Sequence, residues 1–517
     1  MPPLAQLFQL LLHQNSMHVA SFFLSILIIS FSVFWWNRKK AAAAASEKNF
    51  KQIPSPPRLP LIGNLHQLGA LPHRSLRALA AKHGPVMLLH LGRVPAVVIS
   101  SAPAAQQAMK TNDLAFASRP EARIPNALVY GGDVTFSPYG EYWRQVRRIC
   151  VLHLFSLKRV QSFRYVREEE AALLVDKIRA AAVAASGAVD VSQLVVNLTN
   201  DVICRVAFGR KYSAEGGGAA KIQTTLVEFA ALLGTVEIGE FVPWLGWIDR
   251  LRGLDRRVRN NSRELDAMLE RVLEDHCSGN EEGDDLVDVL LSINDKDENV
   301  GIALTRSNIK ALLLDMFAAG TDTTFTTIDW VMAELIKNPK VMERAQEEIR
   351  GVVGTSPNVE EELLEGMYYL KDVIKETLRL HAPIPLLVPR ETIEDTQLEG
   401  FNIPVKTRVI INAWAIGRNP KLWERADEFL PERFSNNPIN FRGQYFEFIP
   451  FGSGRRGCPA INFGVSVIEL VLANLLYHFD WELPHGMKRE LLDMSESSGL
   501  IAHRKQNLIL VPKLRKF

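Results

Sequence analysis

The segment Phe451 to Ala460, Phe-Gly-Ser-Gly-Arg-Arg-Gly-Cys-Pro-Ala, combines residue types that can bind a flat, anionic cofactor. Cys458 precedes Pro459 and an apolar run, and proline is favoured at the first position of a helix, which is where Pro459 is predicted. The thiol is therefore predicted at a helix N-terminus, where the helix dipole favours the thiolate and lowers its pKa. The glycines allow a tight turn, and Arg455 and Arg456 offer forked donors for carboxylates. Together these features predict a haem-binding loop with Cys458 as the iron ligand.

Four residues of this loop keep the spacing Phe-x-x-Gly-x-Arg-x-Cys, namely Phe451, Gly454, Arg456 and Cys458. A lone cysteine is more often a buried structural residue, but this spacing arises by chance on the order of once in a thousand chains of this length. The motif resembles the haem-binding loop of the cytochrome P450 monooxygenases. One position departs from that family, which usually has glycine where this chain has Ala460. A helical residue at this position would tolerate the added methyl group.

A long apolar segment in the middle of the chain contains the second candidate site. Thr305 is the predicted N-cap of a helix from Arg306 to Lys337, and apolar residues cover most of its circumference, as in a helix that crosses the core. Within it, Ala319 to Thr324 combines small residues, hydroxyls and a carboxylate. Such residues loosen the hydrogen bonds of a helix and leave a groove.

A kink is the simpler interpretation of a Gly-Thr pair alone, but the whole run Ala-Gly-Thr-Asp-Thr-Thr resembles the oxygen-activation motif of the same family. The resemblance implies that Ala319 and Gly320 leave room for dioxygen above the iron. It also implies that Thr323 and Asp322 deliver protons. Proton delivery on one side of the iron and a thiolate ligand on the other side are complementary requirements for splitting dioxygen.

Glu376 and Arg379 are three residues apart on a predicted helix that ends near His381. Such a pair is common on helix surfaces and weak evidence by itself. With Arg433 in the later segment Pro-Glu-Arg-Phe, it resembles the Glu-Arg-Arg structural triad of the family. These three residues are assigned to holding the core beneath the cofactor, and not to turnover.

Several side chains, most of them cationic, are predicted to contact the two haem propionates. Trp143 and Arg147 lie four residues apart on a predicted helix, and they resemble the propionate contacts of the family, as does Arg390 in Pro-Arg-Glu. Arg456 would complete this cationic set, because forked guanidinium donors suit carboxylates. For any single arginine, a solvated surface position is an equally good interpretation.

The resemblance also predicts the walls of a substrate pocket, formed by the loop from Arg119 to Val134, by Ile384 to Val388 and by Ser497 to Ile501. The individual pocket residues predicted are Met316, Ala319, Ile384, Leu387, Gly499 and Leu500. Most of these side chains are apolar or small, which indicates a compact lipophilic substrate oriented by few polar groups.

Composition excludes several classes of function. The chain has 517 residues, with 60 Lys and Arg against 58 Asp and Glu, and a net charge of +2 gives no field for binding nucleic acid. Its four cysteines are widely scattered and lack C-x-x-C spacing, which argues against a zinc site or a disulfide framework.

The N-terminal part predicts a membrane anchor. Met17 to Trp36 is uncharged and mostly apolar, and twenty helical residues span roughly 30 Å. Lysines and arginines follow the segment and none precede it, so the positive-inside rule places the C-terminal bulk in the cytosol. Residues 1–16 are interpreted as an extension, 17–36 as the anchor, 37–63 as a basic stop and proline-rich hinge, and 64–517 as the catalytic domain.

The predicted fold class is mainly α with minor β. The resemblance, which is greatest to plant endoplasmic-reticulum members, implies the cytochrome P450 fold, a triangular helical prism with a small β-rich lobe. It implies haem b as cofactor, no bound nicotinamide or flavin, and electrons from a membrane-bound NADPH-cytochrome P450 reductase. The expected activity is oxidation of a lipophilic plant metabolite by dioxygen, a terpenoid in the first place and otherwise a phenylpropanoid, furanocoumarin precursor or indole. A haem-thiolate lyase or isomerase, and a non-catalytic membrane haem protein, are the alternatives.

Overall fold

The computed structural model describes residues 53–183, 187–211, 216–278, 284–296 and 302–515. The predicted extension, the anchor at 17–36 and the hinge before Ile53 lie outside the described residues. The described chain is mainly helical with minor sheet, as predicted.

Seventeen α-helices are present in the described ranges. They are α1 (Pro72–His83), α2 (Ala102–Gln106), α3 (Arg123–Leu128), α4 (Glu141–Ile149), α5 (Leu157–Ser162), α6 (Arg164–Ala182), α7 (Val191–Phe208), α8 (Gly216–Leu233), α9 (Ile238–Phe241), α10 (Gly246–Leu251), α11 (Leu254–Ser278), α12 (Leu286–Lys296), α13 (Arg306–Lys337), α14 (Pro339–Val353), α15 (Tyr368–Leu380), α16 (Ala413–Gly417) and α17 (Ile461–His478).

Nine strands form three sheets in the same ranges. They are β1 (Val86–Leu91), β2 (Val94–Ile99), β3 (Val189–Asp190), β4 (Arg390–Glu391), β5 (Thr396–Leu398), β6 (Phe401–Ile403), β7 (Arg408–Ile411), β8 (Phe479–Glu482) and β9 (Ile509–Leu514). The largest sheet has the order β1-β2-β7-β4, in which β2 and β7 are parallel and the other pairs antiparallel. β3-β9-β8 and β5-β6 are the smaller sheets.

Helix α13 has the bounds that the sequence predicts. Thr305 caps its first turn, because the Thr305 hydroxyl accepts from the Asn308 backbone N–H and the Asn308 side chain accepts in return from the Thr305 N–H. This reciprocal pair satisfies donors that the first turn of a helix leaves without partners. Most of the helix is buried, and it packs against α7, α15 and α17 in the centre of the protein.

The last part of the predicted hinge lies against the globular domain. Asn64 is fully buried, and its side-chain amide donates to the carbonyls of Pro56 and Pro57 at 3.4 and 3.2 Å. The Asn64 backbone N–H donates to the His90 carbonyl at 2.7 Å, so the proline-rich segment is attached to β1.

Among the described residues, one helix is long and apolar enough to cross a membrane, and this helix is α17. Two-thirds of it (67%) is buried inside the protein, because α17 packs against α6, α13 and α14. Its composition is therefore that of a core helix.

Candidate functional site

The loop from Phe451 to Ala460 forms one wall of a large interior cavity, named the first cavity, and Cys458 lines it. The backbone N–H of Cys458 donates to the Phe451 carbonyl at 3.0 Å, which closes the loop on itself. Helix α17 begins at Ile461, so the prediction that Pro459 occupies the first helical position is wrong by two residues.

The pKa of the Cys458 thiol also differs from the expectation. Burial raises this pKa, while the backbone N–H of Ala460 and the charge of Arg147 lower it less. The reason is that the sulfur lies in an apolar cavity, where the charged form loses its hydration. Backbone N–H groups at a helix end were expected to stabilise the thiolate, and the N–H of Ala460 makes such a contribution.

Two glycines of the loop have conformations that favour glycine. Gly452 and Gly454 have φ of +67° and +69°. A Cβ on Gly454 would lie 2.1 Å from the carbonyl oxygen of Met109, so this glycine packs the loop against the π-helical turn Gln107–Thr111. Ala460 has φ of −102°, a conformation open to any residue, so the backbone does not require the glycine usual in the family.

Four arginines gather at one side of the first cavity: Arg119, Arg147, Arg390 and Arg456. Arg456 donates to the carbonyls of Ala117 and Ser137, each at 2.7 Å, and its guanidinium lies 3.9 Å from the ring centroid of Trp143. These contacts orient the guanidinium toward the cavity wall.

Helix α4 and strand β4 position the other residues that are predicted to contact the propionates. Arg147 donates to the Gly457 carbonyl at 2.6 Å, and Trp143 Nε1 donates to the Val134 carbonyl at 2.9 Å. Arg390 donates to the Ser453 carbonyl at 2.9 Å and pairs with Asp113 at 3.3 Å. The structure thus brings the predicted cationic set together.

The electrostatics of this set favour an anionic ligand. Burial, followed by the charge of Arg390, lowers the pKa of Arg456 to about 9. Burial and the charges of Arg456 and Arg390 hold the pKa of Arg119 well below its usual value. Buried like charges that depress one another are stabilised by an added anion. The residues present therefore fit a haem, whose two carboxylates would lie by the arginines and whose iron would lie by Cys458.

Helix α13 also lines the first cavity, through Ala319, Gly320 and Thr323. Ala319 is exposed to this space although it lies in the middle of a core helix. The Thr323 hydroxyl donates to the Ala319 carbonyl at 2.5 Å. A Cβ on Gly320 would lie 2.5 Å from Cδ1 of Ile203, so the lack of a side chain there also permits close packing of α7.

Asp322 does not line the first cavity. It faces a second cavity, between α8, α13 and the segment from Ser498 to His503, and Thr323 lines both cavities. Burial raises the pKa of the Asp322 carboxyl, and the charge of His503 lowers it. Thr323 therefore stands between the space beside Cys458 and the space that contains Asp322.

The predicted structural triad is assembled in the core. Arg379 donates to both carboxylate oxygens of Glu376 at 2.7 Å, and Arg433 Nε donates to Glu376 at 3.0 Å. Arg379 also donates to the carbonyls of Gly417 and Ala426. The contacts join α15 to the segment that precedes the Cys458 loop.

The predicted substrate-pocket residues divide between the two cavities. Met316, Ile384 and Leu387 line the first cavity. Gly499 and Leu500 line the second, together with Phe229 and other apolar residues of α8. Ala319, Thr323 and Ile384 line both, so the two spaces adjoin at the groove of α13.

Three residues of these walls have no recognised role in the sequence motifs. Arg119 was predicted only as the start of a pocket loop, and it donates to the carbonyls of Val388 and Pro389 at 2.6 and 2.9 Å. Asp315 accepts from the Val134 N–H at 2.6 Å, and His503 lines the second cavity together with Asp322. No spacing could identify them, because their neighbours are distant in sequence.

Comparison with known proteins agrees with this geometry. The profile of the family Cytochrome P450 matches residues 53–511. Cytochrome P450 71A1 of Persea americana is 53% identical over 459 residues, covering 87% of this chain and 91% of that protein. Cytochrome P450 71A26 of Arabidopsis thaliana is 50% identical, covering 88% and 92%. Phenylacetaldehyde oxime monooxygenase CYP71AN24 of Prunus mume is 48% identical and covers 94% of each chain.

A solved zebrafish cytochrome P450 with abiraterone has a similar fold. Its TM-score is 0.74 at 25% identity, and the match covers 87% of this chain and 100% of that one. The likeness confirms the predicted fold class. The chain belongs to the cytochrome P450 family, and it is accordingly an oxygenase enzyme whose cofactor is haem b with a cysteine thiolate ligand.

Proposed function

We propose that this protein is a membrane-anchored monooxygenase that transfers one atom of dioxygen to a small lipophilic plant metabolite. The observation that supports this most is that Thr323, Cys458 and four arginines line one cavity. When bound, haem supplies the redox iron at which dioxygen is activated.

The residues of this chain would have separate roles in this reaction. Cys458 holds the iron, while Arg119, Arg147, Arg390, Arg456 and Trp143 hold the carboxylates and orient the ring. Phe451 and Gly454 shape the loop around the sulfur. Thr323 places its hydroxyl group beside Ala319 and Gly320, with Asp322 as the neighbouring acid. Glu376, Arg379 and Arg433 keep the loop in place.

The substrate is a compact lipophilic molecule, with a terpenoid as the first candidate. The support is the mainly apolar lining that Met316, Ile384, Leu387, Gly499 and Leu500 contribute to the adjoining cavities. Phenylpropanoids, furanocoumarin precursors and indoles are the second group of candidates. The name of the Prunus mume relative adds phenylacetaldehyde oxime to the compounds worth testing.

Residues 17–36 anchor the enzyme in the endoplasmic-reticulum membrane, with the catalytic domain in the cytosol. Electrons come from NADPH-cytochrome P450 reductase, which docks on the face nearest Cys458. An open cleft on that face is lined by Arg144, Arg148 and Arg455, and these cations suit an acidic partner surface.

Reconstitution in lipid with the reductase tests the proposal. We expect a binding shift of the haem spectrum with at least one member of a terpenoid, phenylpropanoid and oxime panel, and a product that requires both NADPH and reductase. A product formed without NADPH or dioxygen would favour the lyase or isomerase alternative. Haem binding with no turnover of any binding compound would favour a non-catalytic haem protein.

A further inference from the structure

The Asp322 carboxyl faces the second cavity, and within the described part of the chain it has no hydrogen bond to protein. A carboxyl held away from bulk water and without a protein donor is costly unless water or a proton satisfies it. His503 shares the cavity with it, and each affects the other electrostatically.

The His503 ring is held by its Nδ1 atom. The Thr326 hydroxyl donates its single proton to the Asp322 backbone carbonyl at 2.7 Å, and His503 Nδ1 lies 2.7 Å from the same hydroxyl oxygen. Because the hydroxyl has no second proton, Nδ1 carries a proton and donates it to Thr326. Nε2 is then the atom at which His503 accepts and releases a proton.

The backbone on both sides of His503 is attached to core elements. The Ala502 N–H donates to the Pro383 carbonyl at 2.9 Å, and Trp330 Nε1 donates to the Ala502 carbonyl at 3.0 Å. Arg504 lies 3.6 Å from Asp329 of α13. The imidazole therefore cannot move away from α13 without breaking buried contacts, which is the condition for repeated proton transfer.

The other charged groups near His503 have different partners. Asp315 lines the second cavity but accepts the N–H groups of Val134 and Thr135. Arg504 points to Asp329, and Glu496 accepts from His73 and Arg74. Among the described residues, Asp322 is the group whose charge acts on His503. Burial lowers the pKa of His503 and raises that of Asp322, so burial brings the two proton affinities closer together.

We propose that His503 is a positioning residue that relays protons from water in the second cavity to Asp322, and through it to Thr323. The imidazolium gives its Nε2 proton to the Asp322 carboxylate, which leaves a neutral ring and a neutral acid. A proton from cavity water then restores the imidazolium, and no electrons are exchanged. This relay rests on the proposed monooxygenase function.

His503→Asn tests the relay, because an asparagine amide can replace Nδ1 as donor to Thr326 but does not titrate. His66→Asn, on an exposed histidine of a surface turn, is the matched control. Both full-length variants are reconstituted with reductase, and the turnover, the solvent deuterium isotope effect and the band of the reduced carbon monoxide complex at about 450 nm are measured. For His503→Asn we expect the band to be unchanged, turnover to fall about tenfold and the isotope effect to rise.

A second measurement does not depend on turnover. In the reduced carbon monoxide complex, with nitrogen-15 in its histidines, His503 is assigned by the signal that His503→Asn removes. Its titration midpoint is expected to fall by about 1 pH unit in Asp322→Asn, because a carboxylate charge is lost. An unchanged midpoint, or turnover and isotope effect equal to those of His66→Asn, would overturn the relay. If His503→Asn fails to fold, His503→Gln supplies the assignment and the midpoint in Asp322→Asn decides. Loss of the band in the wild type would instead refute the proposed function.

Discussion

Arg379 donates a hydrogen bond to each carboxylate oxygen of Glu376, both at 2.7 Å, and neither side chain has exposed surface. A buried ion pair is stable only when its geometry is good and the remaining donors and acceptors are satisfied. Both conditions hold. Arg433 donates a further hydrogen bond to Glu376, and the backbone carbonyls of Gly417 and Ala426 accept hydrogen bonds from Arg379.

Glu376→Gln is expected to lower the free energy of unfolding by about 3 to 5 kcal/mol, because it leaves the Arg379 charge buried without a counter-charge. Chemical denaturation and the yield of haem-loaded protein measure the effect. Arg344→Ala is the control, because it removes an exposed pair with Glu432, which contributes about 1 kcal/mol or less. Equal stability of the two variants would contradict the structural role of the triad.

Cys458→Ser is expected to abolish the reduced carbon monoxide band at about 450 nm, because a serine hydroxyl cannot supply the thiolate that shifts it. Cys150→Ser serves as a comparison, since Cys150 lines the same cavity from the π-helical turn after α4. The band of the Cys150→Ser variant should stay at about 450 nm. Persistence of the band in Cys458→Ser would show that another group binds the iron.

Arg456→Leu is expected to lose haem at least tenfold faster than the wild type, because it removes one cation and two 2.7 Å hydrogen bonds to backbone carbonyls. The measurement is the rate of haem transfer to an acceptor protein. Arg455→Ala is the matched control, because the neighbouring side chain is exposed and makes an ion pair with Asp113 at 3.5 Å. Equal transfer rates would remove Arg456 from the propionate site.

Thr323→Ala is expected to lower the ratio of product to NADPH consumed several-fold and to raise hydrogen peroxide release, because a positioned hydroxyl group is lost. Thr323→Ser should restore most of the ratio. Thr377→Ala is the control, since this buried threonine of α15 also donates to the carbonyl four residues earlier, at 2.9 Å. A normal ratio in Thr323→Ala would contradict proton delivery through Thr323.

His276 and Asp285 give a pH-dependent contribution to stability. His276 Nε2 lies 2.8 Å from Asp285, and this hydrogen bond is the main cause that raises the pKa of His276 to about 9. A pKa raised in the folded state contributes stability that is complete below the unfolded value of about 6.5 and is lost as the pH rises through about 9. We expect the free energy of unfolding to fall by about 1 to 2 kcal/mol across this range, allowing for screening by solvent.

Asp285→Asn isolates that contribution, because asparagine can still accept the Asp288 backbone N–H that Asp285 binds at 3.0 Å at the start of α12. Denaturation curves at pH 6.5 and 9 should differ in the wild type and differ less in the variant. The same pH dependence in both proteins would show that the pair makes no contribution.

Local sequence patterns were sufficient to predict the features that depend on residues close together in the sequence. The spacing around Cys458, the run that contains Thr323 and the capping signal at Thr305 each lie within one segment. The sequence therefore predicted the family and its cofactor, the long core helix and most of the cationic set. The start of α17 was misplaced by two residues, since proline before a helix does not identify which residue takes the first helical conformation.

Only the tertiary structure decided which distant residues share a cavity. Arg119 shares a cavity with Arg456, Asp315 holds the loop at Val134, and His503 shares a cavity with Asp322, because α13 packs against segments that lie far away in the chain. The pKa of Cys458 is likewise set by burial, which is a property of the whole fold. Short-range spacing carries no information about burial or about contacts across the core, and these contacts separate the space beside Cys458 from the space that holds Asp322.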